Sequence, residues 1–192
     1  MGTEGRSRFG FQEKVRNVFS FLEDLGFSEI EATPTLVRYQ NGDVEIDIYH
    51  GRQSYEIGAG VSVSGDRYAI SEILKASNTD QYRQYRNAMV STSQGVNVAL
   101  EELGKLMKRY GATALKGDPL FVARLKKQRE KWSSDFSQEV LASQLLPQAD
   151  DAFRQKDYAR AAALYSQIRE RLSAAELKKL DYSIKHSKNS QS

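Results

Sequence analysis

The sequence predicts an α+β fold: an N-terminal helix on a three-stranded antiparallel meander, then a long helical hairpin and a C-terminal helix pair. Two observations carry this expectation. From Thr35 to Val63 apolar and polar residues alternate, the period of a half-buried strand. Beyond about residue 70 apolar residues recur at spacings of three and four, the period of a helix seam.

The elements follow in order. Phe11, Val15, Val18, Phe19 and Leu22 form one helical stripe, with Gly26 placed as C-cap and Phe27 just beyond it. Asn41-Gly42 is a strong hairpin signal and pairs Tyr39 with Val44, Val37 with Ile46 and Arg38 with Glu45. A second two-residue turn at Gly51-Arg52 places Ile48 opposite Tyr55, Ile46 opposite Ile57 and Asp47 opposite Glu56. The predicted inner face is Val37, Tyr39, Val44, Ile46, Ile48, Tyr55, Ile57, Val61 and Val63. Gly58 and Gly60 fall on the outer side, where they permit a bulge or a close backbone approach.

Ile70, Ile73 and Leu74 mark a short amphipathic helix. Asn78-Thr79 opens a long helical segment through Tyr82, Tyr85, Met89, Val96, Leu100, Leu103, Met107 and Tyr110, with Gly95 as its weak point. Asp118-Pro119 restarts the chain as N-cap and first helical residue. Phe121, Leu125, Trp132, Phe136 and Val140 continue a stripe to Pro147, and core packing is the role this spacing gives Tyr110 and Trp132. Asp157 caps one C-terminal helix, and Ser173 with Glu176 forms a capping box for the last. The expected organisation is a head over 1–77, a long helical hairpin over 78–146, a helix pair over 147–186 and a frayed tail over 187–192.

The bulk numbers describe an ordinary globular chain: 192 residues, 40% hydrophobic and 28% charged. Without cysteine there is no disulfide or thiolate chemistry, and a cytoplasmic location is expected. The opening residues MGTEGRSRFGFQEK hold no signal-peptide core, and no run has the length of a membrane span. The net charge of +3 hides an asymmetry: residues 1–66 carry a net −5 and residues 105–131 a net +7.

Candidate chemistry is sparse. Glu45, Asp47 and Glu56 share the outer sheet face with Arg38 and Tyr49, and together they form a candidate partner-binding surface. Adjacent-strand carboxylates are also what a metal-dependent nuclease uses, but such a site wants a nearby lysine and these strands have none. His50 and His186 lack partners at ligand spacing. No nucleophile elbow, dinucleotide fingerprint or phosphate loop occurs, so no cofactor is expected. Lys105, Lys108, Arg109, Lys116, Arg124, Lys126, Lys127, Arg129 and Lys131 make a basic stretch able to dock on phosphate or on acidic protein. In Gln81–Arg86, the arginines of Q-Y-R-Q-Y-R project from the helix while the tyrosines join its seam.

The segment AFRQKDYARAAALYSQIRERL, within about residues 145–175, resembles a single tetratricopeptide-like helical hairpin: Ala152 precedes the K-D-Y turn, and Ala161 and Tyr165 match the small-then-aromatic pattern. It departs from that pattern at Gln148, Ala149 and Ser173, and no second copy follows. The resemblance implies helix packing and partner contact. The front half loosely resembles small bacterial α+β proteins of the immunity or accessory type. The function these readings predict is a non-enzymatic cytosolic protein-interaction module, an immunity or accessory protein that binds another protein. The alternative is a nucleic-acid-binding accessory factor using residues 105–131, and a metal-dependent nuclease comes third. A homodimer through the long helices stays open.

Overall fold

The computed structural model describes residues 9–187. The chain divides into two compact units, 1–128 and 129–192.

The first unit is built on an antiparallel sheet, in keeping with the α+β class. Among the described residues it has six strands rather than three: β1 (Ser28–Thr33), β2 (Leu36–Asn41), β3 (Val44–His50), β4 (Glu56–Val63), β5 (Asp66–Ala69) and β6 (Ala88–Met89). The first five run as a meander in chain order, and β6 pairs with β4. The predicted strands are β2, β3 and β4. The additions are an edge strand with three exposed residues, a four-residue strand and a two-residue strand. None of these is long or buried enough to impose an alternating pattern on the sequence.

Both hairpin registers differ from the expected ones without changing faces. Asn41 pairs with Val44, so the loop is Gly42-Asp43, with Gly42 at φ +57°. Asn41 is not a turn centre because its Nδ2 donates to the Leu25 carbonyl at 3.0 Å. The second connection is longer than two residues: Gly51 N–H donates to the Glu56 carbonyl, and Tyr55 takes φ +56°. Ile48 therefore faces Ala59, Ile46 faces Val61, and Asp47 faces Gly60 instead of Glu56. Each register shift is an even number of residues, so side-chain parity survives. Val37, Tyr39, Ile46, Ile48, Ile57 and Val61 are buried, while Tyr55 and Val63 are only half-buried.

Helices α1 (Phe11–Val18) and α2 (Phe21–Asp24) divide the expected N-terminal helix at Phe19-Ser20. Phe27 N–H donates to the Leu22 carbonyl and Gly26 N–H to that of Glu23, with Gly26 at φ +82°. This is a Schellman cap, and it needs a residue that tolerates the left-handed conformation.

Helix α3 (Ile70–Ser77) buries Ile70, Ile73 and Leu74 as expected. The long helix expected from residue 78 to 110 is not one helix. The chain forms α4 (Thr79–Gln84), then β6, then α5 (Ser93–Tyr110). The break lies upstream of Gly95. Tyr85 turns extended, and Ala88 and Met89 bond to Ile57 and Glu56 at the edge of the sheet. Thr92 then caps α5 by accepting from Gly95 N–H at 3.1 Å. Val96, Leu100, Leu103 and Met107 bury the inner side of α5. Gly104 admits Val18, since a Cβ there would fall 2.6 Å from Val18 Cγ1.

Helix α6 (Ala112–Leu115) leads to α7 (Pro119–Arg154), capped by Asp118 accepting from Phe121 N–H at 2.8 Å. Pro147, expected to end this helix, lies inside its 36 residues.

The second unit holds α7 from Arg129 on, α8 (Tyr158–Gln167), a 3₁₀ turn (Arg169–Arg171) and α9 (Ala174–Ser187). Its core is small: Ala149, Ala152, Ala161, Ala162, Tyr165 and Leu180. Asp157 accepts from Arg160 N–H at 3.1 Å, and Ser173 and Glu176 form the predicted reciprocal capping box. Ser187 ends α9, and the rest of the expected frayed tail lies outside the described residues.

Candidate interaction surfaces

The outer sheet face gathers Arg38, Glu45, Asp47, Tyr49 and Glu56 on one side, as the alternation implied, and engages them with one another and with neighbours. Arg38 sits opposite Asp47 but ion-pairs with Glu31 at 3.1 Å and, diagonally, with Glu45 at 3.6 Å. Asp47 accepts two bonds of 2.7 Å from Arg67, a residue the sequence reading did not single out. The fork is the bidentate form that planar guanidinium favours, and it holds Arg67 further toward its protonated state. Tyr49 Oη donates to Glu56 Oε1 at 2.8 Å, and Asn87 Nδ2 donates to the same oxygen at 2.8 Å. Burial first, and then the Glu56 acceptor, push the Tyr49 hydroxyl up to about 12.

Gly58 and Gly60 are the floor of this network. A Cβ on Gly58 would strike the Tyr49 ring, and one on Gly60 would lie 2.5 Å from Arg67 Cζ. The close approach anticipated at these glycines is therefore made by side chains, not by a second backbone. Each carboxylate has a partner, which makes the face a closed polar network. Among the described residues no group of three or more potential ligands is placed to hold a metal ion.

His50 is the last residue of β3 and 1% exposed. Its Nε2 lies 2.9 Å from the Val90 carbonyl, and its ring contacts Phe9, Phe11 and Tyr55. It seals the junction of α1, β3 and β6. The His186 ring lies 4.1 Å from that of Tyr182, tilted by 31°, within the second unit.

The basic stretch is distributed over several elements, and much of it is engaged. Lys105 pairs with Glu102 at 2.6 Å and Lys126 with Asp66 at 2.9 Å. Lys108 lies over the Phe21 ring at 4.7 Å, and Arg109 over Tyr110 at 5.3 Å. Arg124 donates to the Ala76 carbonyl at 3.2 Å. Lys116 lines an open groove of about 490 Å³ with Asp43, Ser64 and Leu115. Lys127 is exposed on the first-unit part of α7, and Arg129 and Lys131 on its second-unit part. Arg83 and Arg86 do not project from one helix: α4 ends at Gln84, and Arg86 folds back onto the carbonyls of Arg83 and Tyr85.

The surface that sequence reasoning missed is on α7. Its apolar stripe was expected in a core, and Phe121 and Leu125 are buried. Trp132, Phe136 and Val140 are instead 60%, 58% and 39% exposed. The Trp132 and Phe136 rings stack at 5.7 Å and 18°. Beside them Arg171 donates to the Asp135 carboxylate at 3.0 Å and ion-pairs with Glu139 at 3.8 Å, which fixes that flank. The three apolar residues fall at i, i+4 and i+8, a single helix face. The sequence shows the stripe but not its exposure. That depends on the alanine-rich core of the second unit, whose α7 members, Leu146, Ala149, Ala152 and Phe153, all lie beyond this face.

Among the described residues no helix is long and apolar enough to cross a membrane. Comparison with protein families, curated proteins and solved structures finds no match to this chain.

Proposed function

We propose that this chain is a non-enzymatic protein-binding module whose contact surface is the face of α7 at Trp132, Phe136 and Val140. The observation that carries this reading is the stacked, exposed Trp132–Phe136 pair. Exposed large aromatics on one helix face have the composition and spacing of binding hot spots. Because the rings already stack and Arg171 already holds the flank, little side-chain freedom is left to lose on binding. An accessory or immunity-type role in the cytoplasm, blocking or carrying another protein, is the concrete form of the proposal.

A nucleic-acid-binding role is the second reading. It draws on the same two rings as a stacking platform beside Arg129 and Lys131. Asp135 and Glu139 on the same turns repel a polyanion, which ranks it second.

A photo-crosslinking amino acid in place of Ser143, on the same helix face, tests the proposal in the native host. The expected product is a covalent protein adduct that disappears in Trp132→Ala/Phe136→Ala and survives nuclease treatment. An adduct of equal yield in the double variant would overturn this surface.

A further inference from the structure

We propose that the groove formed by α4, β6 and α5 is a binding site for an aliphatic carboxylate, an amphipathic acid of the fatty-acid class. The groove lies wholly within the first unit, and the proposal is independent of the α7 face.

The groove follows from the break in the expected long helix. The chain leaves α4 at Gln84, runs extended through β6 and returns to helix after Thr92. Between these elements it leaves an open concavity of about 620 Å³, the size of a small-molecule site. On α5 the lining recurs at Gln94, Val98, Glu102 and Leu106, a spacing of four that makes one helix face. At the helical rise this face runs about 18 Å, which suits an elongated ligand. Val98, Ala99, Leu103 and Leu106, with Ile57 of β4, make most of that lining apolar. Val98 is 53% exposed, and an aliphatic chain laid along α5 removes such surface from water.

Charge selects the head group. Two charged side chains line the groove, Arg86 and Glu102. Glu102 is ion-paired with Lys105 at 2.6 Å. Arg86 has no carboxylate partner among the described residues. Its Nη1 donates to the carbonyls of Arg83 and Tyr85 at 2.8 and 2.6 Å, which holds the guanidinium in place and leaves its Nε–Nη2 edge unused. The same edge of Arg67 grips both oxygens of Asp47 in this protein, and it matches any planar carboxylate. Arg86 and Tyr85 also line an adjoining polar hollow with Ser71, Arg83 and Asn87. The Arg86 end of the groove is therefore polar and the α5 side apolar, the division an amphipathic acid requires. Burial first, and then Tyr49 and Glu56, push the Tyr85 hydroxyl up to about 12, so it stays a neutral donor beside Arg86. Glu56 lines neither hollow, and its Oε1 accepts from Tyr49 and Asn87.

Decanoate is the probe, with decanol and decylamine as its neutral and cationic matches. Isothermal titration of the full chain with decanoate should show one saturable site and a negative heat-capacity change, the mark of buried apolar surface. Decanol should bind at least about tenfold more weakly, because it forfeits a charge-assisted hydrogen bond, and decylamine more weakly still. Arg86→Gln should abolish the preference for decanoate over decanol. Val98→Glu places a carboxylate at an exposed position of the groove and should cut decanoate affinity by at least about tenfold, with an unchanged circular dichroism spectrum. Should Arg86→Gln unfold, Val98→Glu and the decanol comparison decide. Decanol binding as tightly as decanoate overturns the proposal, as does a preference that survives in folded Arg86→Gln. Decanoate affinity unchanged in Val98→Glu overturns it too, and so does a titration that shows no saturation up to about 1 mM decanoate.

Discussion

Arg67 crosses the glycine floor of β4 to hold Asp47 through two hydrogen bonds of 2.7 Å. Asp47 faces Gly60 in the register, and only a residue without a side chain leaves the guanidinium that path. Asp47 is 8% exposed, so it depends on this partner for what water would otherwise supply.

Arg67→Ala should therefore destabilise the protein by about 1–2 kcal/mol. That is the cost of a nearly buried carboxylate losing its partner, reduced because Arg67 itself is partly exposed. Gly60→Ala should act in the same direction by displacing the guanidinium, and combining it with Arg67→Ala should add little. Urea unfolding followed by circular dichroism measures all three. A loss below about 0.5 kcal/mol for Arg67→Ala would place the pair with ordinary surface ion pairs.

Tyr39 makes the opposite case. It is 1% exposed, and its hydroxyl has no hydrogen-bond partner among the described residues. Burial pushes that hydroxyl up to about 12. Tyr39→Phe removes an unpaired polar group and keeps the ring, so stability should stay level or rise by up to about 1 kcal/mol. A clear drop in melting temperature would mean that the hydroxyl has a partner.

In the second unit Asp150 accepts from Tyr165 at 2.5 Å and from Lys179 at 2.6 Å. Burial raises its carboxyl, but the bonds from Lys179 and Tyr165 outweigh that and hold it below the ordinary value of 3.8. A lowered folded value stabilises above the unfolded one and loses that stability as pH falls through the folded one. The contribution is thus complete at neutral pH and disappears below about pH 4. Asp150→Asn should cost about 0.5–1 kcal/mol at pH 7, a partly exposed pair's share, and less at pH 2. Thermal melts of both proteins across that range decide it, and an equal loss at both pH values would refute the electrostatic account.

If the basic stretch served nucleic acid, binding would fall steeply with salt, since each neutralised phosphate releases counterions. We expect only weak, sequence-blind binding that vanishes near physiological ionic strength, because Lys105, Lys126 and Arg124 are already engaged. Anisotropy titrations of labelled oligonucleotides, with Lys126→Glu/Lys127→Glu as control, measure this. A dissociation constant below about 1 μM at physiological salt, lost in the control, would install the nucleic-acid reading.

What could be read from the sequence was local. The Schellman cap at Gly26, the Ser173–Glu176 capping box and the inner face of β2–β4 each depend on residues close together in the chain. What escaped depends on distant partners. The helical pattern of Gln81–Met89 yields to β6 because the edge of β4 at Glu56 and Ile57 offers backbone bonds there. Arg67 carries no local signal, because its bond to Asp47 depends on Gly60 of the strand between them. Trp132 and Phe136 carry a core-like spacing, and only the reach of the neighbouring helices decides that they stay exposed.

Pro147 gives α7 an uneven resistance to opening. It has no N–H, so the Ser143 carbonyl loses the donor that any other residue at that position would supply. The helix is continuous in geometry but interrupted in its chain of backbone bonds. Amide protons on the turns before Pro147 should exchange with deuterium sooner than those beyond it, which the Ala149–Ala152–Tyr165 core protects. The turns that carry Trp132 and Phe136 would then open without unfolding the helix pair that follows, as a cooperative unit of their own.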